Sequence, residues 1–258
     1  MRTDVAESFR PIAVRPPTEN PALFRIRCFV DLQVLTVHRF LRERLRACQG
    51  RVLDVGAGEA PWRDLLKHAD YVGVDVEEAK DFGMRQRSDI VYYDGNTLPF
   101  EAASFDHVLC TEVLEHVPDP ARFLRDVNRV LRKGGTLILT VPWSARLHHT
   151  PHDYTRFTRY GLHPLLQSAG FSDIVIEERG NDIAVIANKL IVVTVRLLRP
   201  TKSINAIWTW PLAILLAPPA LVSLVAAHAA MLLRLGSRDD PLGYGVVAVK
   251  AQDALPAC

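Results

Sequence analysis

The sequence predicts an α/β fold built on a mostly parallel, seven-stranded sheet. Three observations carry this. After Gly50, short apolar runs alternate with stretches of helical periodicity, the pattern of repeated strand–helix–strand units. The first run passes straight into a glycine-rich turn, Asp54-Val55-Gly56-Ala57-Gly58-Glu59-Ala60-Pro61. Acidic residues then follow the strands at Asp54, Asp75 and Asp94, and in a parallel sheet the strands' carboxyl ends share one edge, where ligands bind.

Each element can be justified in order. Residues 1–21 hold Pro11, Pro16, Pro17 and Pro21 without an apolar run, so they are expected to be flexible and not a secretory signal. Residues 22–49 space Leu23, Ile26, Val30, Val34, Val37, Leu41 and Leu45 as one amphipathic helix. Its polar side is mostly arginine (Arg25, Arg39, Arg42, Arg46), which suits a solvated face or docking on anionic lipid or a partner. The core is expected over residues 50–180, with strands at 51–55, 71–75, 89–94, 105–110, 136–141 and 172–178. Helices fall near 62–68, with Pro61 opening the first turn, 120–131 and 161–169. The second is expected to stop at Lys133-Gly134-Gly135, a cationic last turn followed by glycine. Residues 239–258 supply the last strand, at 243–251, and a tail.

Composition narrows the function classes. The chain's 258 residues are 48% hydrophobic and 23% charged, ordinary for a globular protein and unlike a disordered tail or a disulfide miniprotein. A net charge of +2 is too balanced to suggest a nucleic-acid partner. Cys28, Cys48, Cys110 and Cys258 form no C-x-x-C pair, so neither a zinc ribbon nor a disulfide framework is expected, and a reduced, cytoplasmic compartment fits. Mean hydropathy is nevertheless +0.06, greasier than a soluble enzyme needs. The excess lies in residues 181–238, a hydrophobic helical insertion ahead of the last strand that has no Asp, Glu, Lys or Arg between Ser203 and Leu233.

That insertion is long enough to span a bilayer, yet Pro211, Pro218 and Pro219 are expected to break it into short pieces. Because the last strand must rejoin the sheet, both ends stay on one side of any membrane. A shallow hairpin bent at Pro218-Pro219 or in-plane helices remain, giving a peripheral or monotopic protein on the inner face of the cell membrane. Trp208 and Trp210, after Arg199 and Lys202, suit the headgroup level, and Arg234 and Arg238 a cationic return. The rival reading is an apolar packing surface or a homodimer interface.

The glycine-rich turn points to a nucleotide. Gly56 and Gly58 let the backbone bend tightly and approach a ligand where a Cβ would clash. Asp75 suits the paired hydroxyls of a ribose, and Asp94-Gly95-Asn96 the amino edge of an adenine. A dinucleotide fingerprint would place its third glycine where Pro61 stands, and Glu59 would oppose a pyrophosphate. A sulfonium and an ammonium fit the acidic turn better, which favours S-adenosylmethionine over a nicotinamide cofactor.

With VLDVGAG (52–58), YVGVDV (71–76), DGNTLPFEAASFDHVLCTEVLEHVPDP (94–120) and LRKGGTLILTVP (131–142), the chain resembles class I S-adenosylmethionine-dependent methyltransferases of the type 11 kind over about residues 50–180. The resemblance implies a Rossmann-like fold. It places Asp54, Gly56 and Gly58 at the methionine moiety, Asp75 at the ribose, Asp94 and Gly95 at the adenine, and Glu112 beside the cofactor, with Ala57 and Val76 also among the cofactor-binding residues. Ala60 stands where many members carry a third glycine.

Two clusters are candidates for the acceptor side. In Glu112-Val113-Leu114-Glu115-His116, a similar E-x-x-E-H supports a divalent metal in some related enzymes and none in others; here no metal is expected, and His116 is read as orienting the acceptor or assisting catalysis. From Trp143 to Tyr160, His152 is a candidate base oriented by Asp153, with Trp143, Tyr154 and Arg156 for the acceptor. The bland alternative is that His152 and Asp153 only pin the loop, and His148 and His149 read as exposed loop residues. This stretch resembles the H-D-Y-x-R-[FY]-T segment of bacterial methyltransferases of cell-envelope glycan and lipid-linked sugar synthesis. The expected activity is methyl transfer to a hydroxyl of a membrane-proximal lipid-linked glycan or isoprenoid. A small-molecule N-methyltransferase, a non-catalytic membrane adaptor that binds the cofactor, and a nicotinamide-dependent oxidoreductase stay as alternatives.

Overall fold

The structure is a computed structural model that describes residues 12–199 and 205–252. Residues 1–11, Lys202 and Cys258, which figure in the expectations above, lie outside the described residues, as does most of the expected C-terminal tail. Seven strands form one sheet: β1 (Gly50–Val55), β2 (Ala69–Val76), β3 (Ile90–Tyr93), β4 (Phe105–Thr111), β5 (Leu131–Pro142), β6 (Phe171–Arg179) and β7 (Gly243–Lys250). Their order is β3-β2-β1-β4-β5-β7-β6, and only β7 runs against its neighbours. All seven predicted strands are present.

Alternate residues of the central strands enter two separate cores. Leu53, Val108, Leu137 and Leu139 pack with α3 (Pro120–Val130) and α4 (Arg159–Ser168) on one face. Val52, Leu109 and Ile138 pack on the other face with α2 (Leu32–Ala47), α5 (Asp182–Leu197) and α6 (Ala206–Leu233). Both faces being covered explains why these strands read as unbroken apolar runs.

Four expectations are corrected. The single basic helix is two, α1 (Pro21–Val30) and α2, because Asp31 is extended and its carboxylate caps the backbone N–H groups of Gln33 and Val34. The glycine-rich turn opens no α-helix, only a 3-10 turn at Arg63–Leu65, and α2 fills that face instead. The helix near 120–131 ends at Val130 without a glycine stop, and Lys133-Gly134-Gly135 already belongs to β5, beside a register shift against β4. Finally, α6 runs unbroken through Pro211, Pro218 and Pro219. Ala213, Ala220, Leu224, Ala227 and Ala230 are buried along one side of it, where it packs lengthwise on α5, and this seam offsets the missing proline N–H groups. The chain therefore turns back between α5 and α6, not at Pro218-Pro219.

Candidate functional site

The carboxyl ends of the strands open onto one cavity of about 990 Å³. Every residue expected to hold the cofactor lines it: Asp54, Gly56, Ala57, Gly58, Asp75, Val76, Asp94, Gly95 and Glu112. Gly56 has φ +71°, and a Cβ there would lie 2.3 Å from Val113 Cγ2, so only glycine fits the turn. Ala60 adopts φ 54° without that freedom.

Burial shapes the three carboxylates differently. Asp54 is buried and accepts a 2.9 Å hydrogen bond from Tyr71 Oη. Desolvation pushes its carboxyl up to about 7, against the Tyr71 bond and with the help of the nearby Asp75 charge. Asp75 is also raised by burial, while it accepts from Gly58 N at 2.7 Å and Val76 N at 2.8 Å, tying the second strand to the turn. Asp94 is exposed and accepts from the side chain and backbone of Asn96, which hold it below the usual carboxylate range. An acidic turn, a buried carboxylate and a polar strand end thus face one space, and they fit a cationic adenosine cofactor.

Glu112 is strained and clamped. Its φ is 53°, and its Oε1 accepts at 2.7 Å from Nη2 of Arg179, a residue that nothing in the local sequence marks as functional. Arg179 is buried at the end of β6 and also donates to Thr36 Oγ1 and to the carbonyls of Val141 and Tyr244. It therefore binds β4, β5, β7 and α2 together beneath the cavity. Replacing Glu112 would leave the buried Arg179 guanidinium without its carboxylate and is expected to destabilise the fold.

The acceptor side differs most from expectation. His116 and His152 line the cavity, but Asp153, Tyr154, Arg156 and Trp143 do not. Trp143 donates to Asp240 and packs toward Tyr244. The Asp153 carboxylate is taken by Arg156, at 2.5 and 2.7 Å, and by His148, whose backbone N–H and Nδ1 lie 3.0 and 3.2 Å away. Arg156 and His148 together hold Asp153 below its ordinary pKa despite its burial. His152 Nδ1 instead meets Tyr154 Oη at 2.9 Å.

His148 and His149, expected to be exposed, are partly buried and pack edge-on against His116, with ring centroids 4.7 and 5.2 Å away. Burial, then the neighbouring histidines, press the His116 and His149 imidazoles down to about 4. Beneath them Glu115 is fully buried, and its carboxyl is raised well above the usual range by desolvation and the Glu112 charge. The loop reaches this spot because Tyr154 N donates to the Glu115 carbonyl at 2.9 Å.

A further part of the cavity wall comes from helices outside the central fold, with Val30 of α1, Val34 and Val37 of α2, and Ile191, Val192 and Val195 of α5 forming an apolar strip among Arg27, Gln33, Asn188 and Lys189. Alternating strand and helix patterns say nothing about which helices converge, so this wall was not legible in the sequence.

Residues 53–139 match the methyltransferase-domain family. The chain is 33% identical over 111 residues to the ubiquinone biosynthesis O-methyltransferase of Coxiella burnetii, covering 40% of this chain and 47% of that protein. It is 33% identical over 111 residues to the demethylmenaquinone methyltransferase of Staphylococcus saprophyticus, covering 39% and 48%. It thus spans about half the length of these curated relatives. Among solved structures, a Thermotoga maritima S-adenosylmethionine-dependent methyltransferase superposes with a TM-score of 0.52 at 16% identity, covering 90% of this chain and 95% of that one. The [4+2]-cyclase SpnF superposes with a TM-score of 0.50 at 19% identity, covering 86% and 82%, so the shared fold alone does not name the reaction. The family match over residues 53–139, the strand order and the residues gathered on one cavity agree: the chain has the Rossmann-like fold of methyltransferases, and its central stretch is similar to a methyltransferase domain.

Proposed function

We propose that the protein transfers a methyl group from S-adenosylmethionine to a hydroxyl on an apolar, membrane-borne acceptor, an isoprenoid or a lipid-linked glycan. One observation carries this reading: the cavity holding the cofactor-side residues continues along the apolar wall of α1, α2 and α5. An acceptor with an apolar portion would bury it against that strip of valines and isoleucine. The two relatives named for quinone biosynthesis support an acceptor with apolar character.

Next to the wall lies an uncovered apolar surface. Leu23, Ile26, Phe29 and Val30 of α1 are exposed, and Phe29 stacks on His228 of α6 at 4.9 Å, which joins that patch to the long helix. On α6 the residues Ile207, Trp208, Ile214, Leu215, Leu221 and Val222 are exposed, and the helix is long and apolar enough to cross a membrane. Both ends of the α5–α6 hairpin return to the sheet, so the reading is a hairpin lying in one leaflet at the inner face of the cell membrane.

When bound, S-adenosylmethionine supplies a methyl group on a sulfonium leaving group. The protein's part is to align the acceptor, exclude water and take up the hydroxyl proton. Asp54 and Glu59 are of the sign to hold the cationic moiety, Asp75 the ribose and Asp94 the adenine. His152 stands at the cavity as the candidate to receive the proton, and His116 to orient the acceptor.

The test is release of S-adenosylhomocysteine by the full chain. It is measured with vesicles carrying a polyprenyl alcohol or a quinol, with the same vesicles lacking acceptor, and with soluble phenols and amines. Turnover only with acceptor-loaded vesicles is expected, and His152→Ala should slow it while sparing cofactor affinity. Equal turnover on a soluble amine without vesicles would sink the membrane reading.

A further inference from the structure

We infer that Glu115, His116 and His148 form a binding site for one zinc-class divalent metal ion on the wall of the cavity. Their ligand atoms all lie within 4.8 Å of one another. The two Nε2 atoms are 3.1 Å apart, and Glu115 Oε1 is 3.6 Å from His116 Nε2 and 3.8 Å from His148 Nε2. Metal bonds of about 2.0–2.1 Å in tetrahedral geometry put ligand atoms roughly 3.4 Å apart.

Hydrogen bonding on the far side of each ring shows what these atoms present. His116 Nδ1 faces the His152 carbonyl at 2.7 Å, which can only accept. His148 Nδ1 faces the Arg146 carbonyl at 3.0 Å and Asp153 Oδ2 at 3.2 Å, again acceptors only. Both Nδ1 atoms therefore carry the proton, and in neutral rings both Nε2 atoms turn lone pairs toward one another. The third member, Glu115, is fully buried with neither carboxylate oxygen hydrogen-bonded. Three acceptors converging on one point, one of them a buried orphan, are satisfied together by a cation.

The donor set favours zinc over magnesium, because two imidazoles and one carboxylate suit a borderline ion. Three protein ligands leave a fourth position, and since His116 and His148 line the cavity that position faces the acceptor space. The carbonyl of His152 and the carboxylate of Asp153 fix the two rings from behind. Glu112 is not part of the set, being held by Arg179. The metal's use toward an acceptor oxygen rests on the function proposed above; its binding does not.

The experiment is titration of the chelator-stripped full chain with zinc and with cobalt(II), without cofactor or acceptor, so that it stands or falls apart from methyl transfer. One equivalent should bind. Glu115→Gln and His148→Ala should each weaken binding at least 100-fold, and Asp153→Asn about 10–100-fold. His148→Cys keeps a ligand and should add a thiolate-to-cobalt charge-transfer band, with circular dichroism confirming that each variant is folded. Absence of stoichiometric binding, affinity indifferent to both ligand substitutions, or a folded His148→Cys protein without the new band would overturn the site.

Discussion

Asp54 is the residue whose environment says most about its work. Its carboxyl is raised to about 7 by burial, so the folded chain holds a proton there that the unfolded chain releases near pH 4. The sign follows: Asp54 costs the unliganded fold nothing below about pH 4, progressively more between about pH 4 and 7, and a constant amount above about 7. Asp54→Asn should therefore stabilise the unliganded protein by a few kcal/mol in urea at pH 8 and leave it nearly unchanged at pH 4. The same substitution should weaken S-adenosylmethionine binding, and wild-type affinity should rise with pH through 7 as the carboxylate ionises opposite a cation. Titration calorimetry at pH 6 and 8 measures both. Such residues were legible because each sits at a strand end in a fixed pattern. Arg179 was not, since its partner Glu112 lies 67 positions away and only the sheet order brings them together. His148 was misread for a related reason: a polar loop residue looks exposed until the loop is known to fold back on Glu115.

Among the elements, α6 decides how the molecule meets its surroundings. A turn advances about 100° per residue, so Ile207, Ile214, Leu221, Val225 and Leu232 share one side, opposite the alanine-rich seam against α5, and all five are exposed. Trp208, at 80% exposure, and Leu215, at 70%, flank that stripe. Trp208→Glu combined with Leu215→Glu should lower partition onto anionic vesicles at least tenfold in flotation assays, with cofactor affinity unchanged. Undiminished partition would show that α6 does not touch the bilayer. The sequence exposed the helix's composition but not its continuity. Counting the donors lost at three prolines predicts breaks, whereas the small residues that let α5 approach are spaced for a partner the sequence does not name. Likewise, the periodicity of residues 22–49 runs smoothly through Asp31, and only its cap geometry shows where one helix stops and the next begins.

At the scale of the molecule, a cofactor held as proposed would join β1, β2 and the segments after β3 and β4, so its binding should stiffen the whole sheet. Saturation at 100 times Kd stabilises a fold by about 2.7 kcal/mol. A clear rise in Tm with S-adenosylmethionine is expected for the wild type and its loss for Asp75→Ala; an equal rise in both would refute the assignment of Asp75. The sheet itself was legible because alternating strands and helices constrain topology strongly, while the layers were not, because the face above β1 and β2 is filled by α2 from earlier in the chain instead of a helix after the glycine-rich turn. The position of β7 has a consequence for the order of events during synthesis. It pairs with β5 on one side and β6 on the other, yet follows β6 only after both long apolar helices. Until it emerges from the ribosome, β5 and β6 have open edges toward one another and the α5–α6 hairpin has no closed sheet behind it. On the membrane reading proposed above, a nearby lipid surface would compete with other nascent chains for the hairpin, so the bilayer would shelter an aggregation-prone intermediate before it presents an acceptor to the finished fold.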